Sequence, residues 1–197
     1  MVLTIAAKQA GVMTVRLFPI LGLIWLASEL LLTRRSGAGA TSKDRGSLRV
    51  LWFVEIASIC CGVVVAYHFR AYGLPARHFF YISGIGVFVI GLALRLYAIL
   101  YLGRFFTINV AIATDHRLID TGPYRFARHP SYTGALMLFF GLSLGIGNWL
   151  SLVVIMVPIF AAFWWRIRIE EAALAEALGE PYRSYMRRTK RLIPMIY

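Results

Sequence analysis

The stretch SYTGALMLFFGLSLGIGNWLSLVVIMVPIFAAFWW, residues 131–165, is apolar over 35 residues with only scattered small polar side chains. A helix rises about 1.5 Å per residue and about 20 residues cross a bilayer, so this run is too long for one crossing. Its middle, GLSLGIGNW, holds a turn signal at Gly147-Asn148, followed by Trp149, a residue favoured at the membrane interface. The pattern predicts two short helices, about 131–146 and 149–165, folded back as a hairpin. Gly141 and Gly145 stand at small-xxx-small spacing, which lets helix backbones approach closely, and Pro158 marks a possible kink.

Working outward, three more apolar segments precede the hairpin, at about Val15–Leu32, Leu48–Phe69 and Phe79–Leu102. The chain is 59% hydrophobic and 15% charged. Soluble domains carry about 25% charged residues, so this chain has too few to cover a globule. The expectation is an all-α integral membrane protein with five transmembrane helices, the last two forming the short hairpin. Residues 1–197 read as one membrane domain, with three N-terminal helices in 1–102 and a polar loop, hairpin and C-terminal helices in 103–197. The N-terminus, MVLTIAAKQAGVMTVR, is amphipathic and predicts no cleavable signal.

The net charge of +12 is set by where the charges lie, at the ends of apolar runs, and does not call for nucleic acid. With five crossings, one orientation collects sixteen of the 21 Lys and Arg on one side, on the loop after the first segment, the 103–130 loop and the tail. The positive-inside rule makes that side cytoplasmic, with the N-terminus outside and the C-terminus inside. Glu29, Glu55 and Arg95 lie inside segments at similar depth. A Glu55–Arg95 or Glu29–Arg95 pair is expected, the other reading being a polar ligand pocket. Cys60 and Cys61 are adjacent, lack metal-site spacing and read as helix-packing residues. His68 and His78 read as interfacial on the outer side. GIGVFVIG, 84–91, has no strand before it and reads as a helix-packing surface instead of a nucleotide loop.

The tail, RIRIEEAALAEALGEPYRSYMRRTKRLIPMIY, is helical in pattern. Arg166 and Glu170 are an i,i+4 pair, Gly179 is a stop and Pro181 a start. Between loop and hairpin stands YRFARHPSYTG, 124–134, in which Pro130 suits the first position of a helix. Taken alone, Arg128 and His129 read equally as interfacial charges. With DHRLIDTGPY upstream and Arg166, Arg168, Glu170 and Glu171 on the same face, these groups have the composition to surround a zwitterion: carboxylates for an ammonium, cations for a carboxylate.

The ordered set GRFFT, H-x-L-I-x-T-G-P-Y, R-H-P-S-Y-x-G, apolar hairpin, R-x-x-x-EE, LGEPYRSY and R-x-IP resembles the isoprenylcysteine carboxyl methyltransferase family, as in its small prokaryotic members. The resemblance covers about 102–194 and extends to phospholipid N-methyltransferases and, more distantly, to sterol reductases. It implies S-adenosylmethionine as methyl donor, S-adenosylhomocysteine as product, and C-terminal helices that cap the donor pocket at the cytoplasmic face. Carried over by motif, the donor site comprises His116, Arg117, Leu118, Ile119, Tyr124, Arg128 and His129. Glu170 or Glu171 holds the donor's amino acid portion, and Arg166 stands beside the acceptor as the catalytic residue. No metal is implied. The implied partners are the bilayer, in a prokaryotic cell membrane, and a lipophilic prenylcysteine-like substrate methylated on its carboxylate. A phospholipid amine and a thiol are alternative acceptors. A sterol-type NADPH reductase and a non-enzymatic membrane scaffold are alternatives of another class.

Overall fold

Gly84 and Gly91 on one helix meet Gly141 and Gly134 on another, and these two contacts set the centre of the bundle. The computed structural model describes residues 17–35, 46–103, 106 and 118–193. The amphipathic N-terminus, most of the first polar loop, and His116 and Arg117 lie outside the described residues. Among those described, α1 spans Leu17–Arg35, α2 Gly46–His68, α3 Arg77–Leu102, α4 Pro130–Ile146, α5 Trp149–Leu178 and α6 Glu180–Arg188. Short 3₁₀ turns lie at Arg70–Tyr72 and Gly122–Arg125.

Helices α2, α3 and α5 are long and apolar enough to cross a membrane, while Leu17–Leu32 of α1 and the whole of α4 are shorter apolar helices. Their outer surface is apolar: Leu23, Phe53, Leu100 and Val157 are each more than 60% exposed. Side chains of this kind belong against lipid.

The expected turn is present. Gly147 has φ 71°, the left-handed conformation glycine adopts at least cost, and the Asn148 side chain accepts a hydrogen bond from Ser151 N at 3.0 Å to cap α5. Asn148 Nδ2 also donates to Phe69 O at 2.8 Å, and Leu74 N donates to Gly147 O at 2.9 Å. The α2–α3 connection is thereby tied to the α4–α5 turn at one end of the bundle.

Antiparallel packing of α3 on α4 is the largest helix contact. A Cβ on Gly84 would stand 2.6 Å from Gly141 O, and one on Gly91 would stand 2.6 Å from Gly134 O. Each helix thus presents two glycines seven residues apart. GIGVFVIG is a packing surface, as expected, and Gly84 sits against both Gly141 O and Gly145 N, the small-xxx-small pair, with Gly134 adding a further close approach one heptad earlier. Gly145 also receives the ring of Phe18 from α1. On the other side α2 packs on α5, where Ser151 Oγ donates to Gly62 O at 2.7 Å and Ile155 fills the space above Gly62. Leu51, Phe139, Ile155, Ile159 and Phe163 form the main buried cluster, with Phe88, Leu92 and Leu138 beside it.

Two expectations change. The helix from Trp149 does not stop near Trp165 but runs on through Arg166, Glu170 and Glu171 to Leu178. Good helix formers fill that stretch, and Gly179, at φ 64°, ends it before α6 begins at Glu180, with Pro181 in its first turn. Cys60 and Cys61 are free and exposed on the outer face of α2, so they do not pack against another helix. The i,i+3/i+4 positions Leu51, Glu55, Ser58 and Gly62 take the inward face. His68 and His78 are exposed, in keeping with an interfacial position.

A candidate methyl-transfer site at the head of the fourth helix

The Arg-His-Pro step is stitched to the C-terminal segment. Arg128 N donates to Lys190 O at 2.8 Å, His129 N to Arg191 O at 2.9 Å and Thr133 Oγ1 to Leu192 O at 2.8 Å. Pro130 then opens α4 at its first position, where the missing N–H leaves no bond unmade. Two chain segments about 60 residues apart are held edge to edge, and each side chain between them has a fixed direction.

Glu171 is the hub of this junction and is 3% exposed. Arg128 Nε donates to its Oε1 at 2.8 Å, Arg191 Nε donates to its Oε2 at 3.0 Å, and His129 Nε2 lies 3.3 Å from Oε1. Arg128 also donates through Nη1 to Met186 O at 2.9 Å and to Thr189 O. A buried charge on this scale is stable only when its partners neutralise and hydrogen-bond it, and here they do. Arg128 and Glu171 therefore bind the α5–α6 end of the chain to the head of α4.

One residue earlier on α5, Glu170 is only half-buried and faces elsewhere. The Tyr132 hydroxyl donates to Glu170 Oε2 at 2.6 Å and accepts from Arg166 Nε at 3.0 Å. Arg166, 3% exposed, also donates through Nη1 to Ser47 Oγ at 2.8 Å, which reaches across to the start of α2. The i,i+4 pair on α5 is thus joined through a hydroxyl from α4. The His129 ring stacks on that of Tyr132, with centroids 5.5 Å apart and planes 7° apart.

Below this layer Arg95 of α3 grips Glu29 of α1 with two hydrogen bonds, Nε to Oε1 at 2.5 Å and Nη2 to Oε2 at 2.9 Å. Trp25 Nε1 adds a third to Glu29 at 3.1 Å, and Arg95 Nη1 reaches Ser131 O at 3.4 Å. Of the two pairings expected for Arg95, this is the one formed. A cavity of about 50 Å³ sits between the layers, lined by Glu29, Glu55, Arg95, Tyr132 and Arg166 with Trp25 and Trp52.

The structure brings Tyr124, Arg128, His129, Arg166, Glu170 and Glu171 to one end of the bundle. Leu118 and Ile119 are half-buried in irregular chain that leads to the 3₁₀ turn at Gly122–Arg125. Tyr124 is turned to the helices: its hydroxyl donates to Ala98 O at 3.2 Å and its carbonyl accepts from Tyr185 at 2.5 Å. Burial, with the charge of Glu170 second, pushes the Tyr124 phenol up, so it stays neutral as a donor. Among the described residues no cluster of metal-ligating side chains occurs. Sequence reasoning missed Tyr132, Arg191 and Ser47. Tyr132 was within reach of it, because it lies three residues after His129 and so shares its helical face.

A donor of the kind implied by the motifs has an ammonium, a carboxylate, a flat base and a sulfonium. Glu170, partly open and carrying one hydrogen bond, suits the ammonium, and the His129–Tyr132 stack supplies aromatic surface beside it. These residues fit the group. The model of the phospholipid methyltransferase family matches residues 79–181, just over half of the chain. The chain belongs to this family. Among its relatives, the protein-S-isoprenylcysteine O-methyltransferase of Schizosaccharomyces pombe is 33% identical over 116 residues, 58% of this chain and 49% of that protein. The probable protein-S-isoprenylcysteine O-methyltransferase of Oryza sativa subsp. indica is 32% identical over 124 residues, 61% of this chain and 65% of that one. The structure of the eukaryotic intramembrane Ras methyltransferase, isoprenylcysteine carboxyl methyltransferase, superposes with a TM-score of 0.59 at 28% identity. That match covers 78% of this chain and 54% of the other. The chain thus spans about half to two thirds of the length of these relatives.

Proposed function

We propose that this family member is an integral membrane S-adenosylmethionine-dependent methyltransferase that methylates the carboxylate of a lipophilic, isoprenylcysteine-like acceptor. The observation that carries the reading is the Tyr132 hydroxyl joined to both Glu170 and Arg166. It supports the reading because Glu170, with a carboxylate for the donor's ammonium, and Arg166, with a guanidinium for the acceptor's carboxylate, share one hydroxyl. The names of the relatives agree with that chemistry.

In this reading the donor, when bound, supplies a methyl group made electrophilic by its sulfonium. Glu170 holds the donor's amino group, and His129 and Tyr132 form an aromatic wall beside it. His116, Arg117, Leu118 and Ile119 complete the donor site. Arg128 and Glu171 contribute as the clamp that holds this wall in place. Arg166 orients the acceptor carboxylate, which has a pKa near 3.5 and is ionised at neutral pH, so no general base is required. Alignment and exclusion of water supply the rate, because a nucleophile held in line reacts far faster than one in solution. The membrane arrangement that goes with it has five helices in one domain, with the head of α4 and the C-terminus on the cytoplasmic side.

Two measurements test this. Calorimetry on detergent-purified protein is expected to show saturable S-adenosylhomocysteine binding that is weakened at least tenfold by Glu170→Gln, with no NADPH binding beside it. Labelled methyl transferred to an S-farnesylcysteine acceptor is expected to be released as methanol by base, as an ester is and an N-methyl group is not. Absence of donor-product binding by folded protein would overturn the assignment, and base-stable label would move the acceptor to an amine.

A further inference from the structure

At the end of the bundle away from the candidate site, an open cleft of about 970 Å³ lies among Phe18 of α1, Val63 and Tyr67 of α2, Arg77 of α3, and Leu142 and Ile146 of α4. Arg70 and the turn at Gly147-Asn148 complete its walls. Tyr67, Tyr72 and Trp149 are each more than half exposed at this end, as an aromatic belt is beside lipid headgroups. Arg77 and Arg95 stand at opposite ends of α3, about 27 Å of helix apart, so the cleft is separate from the methyl-transfer residues.

Two guanidiniums line this cleft, and among the described residues no carboxylate does. Arg70 donates through Nε to Tyr67 O at 3.3 Å and lies 5.2 Å from the centroid of the Tyr67 ring, which leaves both its terminal nitrogens without a partner among the described residues. Arg77 lies along the turn, its Cγ 3.5 Å from where a Cβ on Gly147 would stand. No hydrogen bond or ion pair holds the head of Arg77 among the described residues. The lack of acid is a property of the chain itself. No Asp or Glu occurs in 1–28, 56–114 or 121–169, and these stretches supply every wall of the cleft. At the other end the contrast is plain: Arg95 has Glu29, and Arg128 and Arg191 have Glu171.

An anion suits these cations, and the size of the cleft says what kind. Inorganic phosphate would fill little of it, since the space matches about thirty water-sized groups at about 30 Å³ each. A zwitterionic lipid would bring an ammonium for which the cleft has no carboxylate. A phosphodiester with a neutral polyol head brings one negative charge for the guanidinium forks, and its acyl chains suit the apolar walls and the exposed Val63 and Val64 alongside. The geometry points to a binding site for one anionic phospholipid, of the phosphatidylglycerol kind, with its phosphate held by Arg70 and Arg77. Because the cleft lies far from the chemistry, this site stands or falls independently of the methyl-transfer reading.

The test is thermal unfolding of the purified protein in mixed micelles containing phosphatidylglycerol or phosphatidylcholine. It compares the wild type, Arg70→Gln/Arg77→Gln, the two single variants, and Arg183→Gln/Arg187→Gln on the exposed face of α6. A ligand that binds only the folded state raises the unfolding midpoint. Phosphatidylglycerol is therefore expected to exceed phosphatidylcholine by at least about 3 °C in the wild type and the α6 variant, and by less than about 1 °C in Arg70→Gln/Arg77→Gln. A cooperative transition in phosphatidylcholine establishes that each variant folds, and each single variant is expected to lose about half of the difference, which decides the matter if the double variant does not fold. No preference in the wild type, or one that survives loss of both arginines, overturns the site. A preference lost in the α6 variant instead assigns the lipid to the other end and overturns it too. An equal rise with inorganic phosphate alone overturns the lipid as occupant.

Discussion

Replacing Tyr132 by Phe removes one oxygen atom and nothing else from the centre of the site. In the native protein that oxygen makes two charge-assisted hydrogen bonds, a 2.6 Å bond donated to Glu170 and a 3.0 Å bond accepted from Arg166. Bonds to charged groups contribute about 1.5–3 kcal/mol each, and a buried donor left without its acceptor costs about 1–3 kcal/mol. Arg166 keeps Ser47, and half-buried Glu170 recovers part of its loss by hydration. A net loss of about 2 kcal/mol in transition-state binding follows, which corresponds to a fall of about 30-fold in kcat/KM at 1.36 kcal/mol per decade. The phenyl ring still fills its place against Phe163 and His129, so the fold is expected to survive. Steady-state methylation of an S-farnesylcysteine acceptor, with S-adenosylhomocysteine calorimetry alongside, measures both sides of the bridge. Donor-product affinity and acceptor turnover are expected to fall together, because one hydroxyl orients the groups assigned to each. A variant within threefold of wild type in both would refute the idea that this hydroxyl couples them.

Arg128→Ala breaks the hub at Glu171 and frees two carbonyls. Loss of one partner of a buried ion pair costs about 3–5 kcal/mol, so the thermal unfolding midpoint in detergent is expected to drop by about 10 °C; a drop of under 2 °C would mean the clamp does not hold the C-terminal cap. Gly91→Ala places a methyl group 2.6 Å from Gly134 O, whereas a methyl at Gly86 meets nothing within 4 Å. The first is expected to lose about 1–3 kcal/mol by overpacking and the second to lose nothing, which paired melting curves will check. Burial raises the phenols of Tyr182 and Tyr185, and Tyr185 donates to Tyr124 O only while protonated. Their contribution to stability is full below the ordinary phenol value near 10 and falls as pH rises above it. Tyr185→Phe is expected to flatten that alkaline loss, read as the unfolding midpoint between pH 9 and about 11.

How much of this was legible in the chain differs residue by residue. The hairpin turn at Gly147-Asn148 and the stop at Gly179 were legible, because both are local: a left-handed glycine and an Asn cap depend on a few neighbouring residues. The extent of α5 was not. Its last three turns change from apolar to charged, which looks like a boundary in hydropathy but leaves the backbone hydrogen bonds undisturbed. The packing roles of GIGVFVIG and of Gly141 and Gly145 were legible, yet the pairing of Gly91 with Gly134 was not, since register between two helices is a property of the pair. Cys60 and Cys61 were misread for the same reason: an apolar run does not say which of its faces meets protein and which meets lipid.

The candidate site divides along the same line. Residue types and their order were enough to gather Arg128, His129, Arg166, Glu170 and Glu171 at one end of the bundle. Charges in a membrane protein are confined to helix ends by the cost of burying them, and that cost is written in composition. Their division of labour was decided only in three dimensions. Glu170 and Glu171 are neighbours in sequence and identical in chemistry, but successive residues on a helix point about 100° apart. One therefore meets Arg128, His129 and Arg191 in a closed junction, while the other meets Tyr132 beside Arg166. Which partners stand in those two directions depends on α4 and on the segment at 189–192, and contacts over such distances leave no periodicity in the chain for a reader to find.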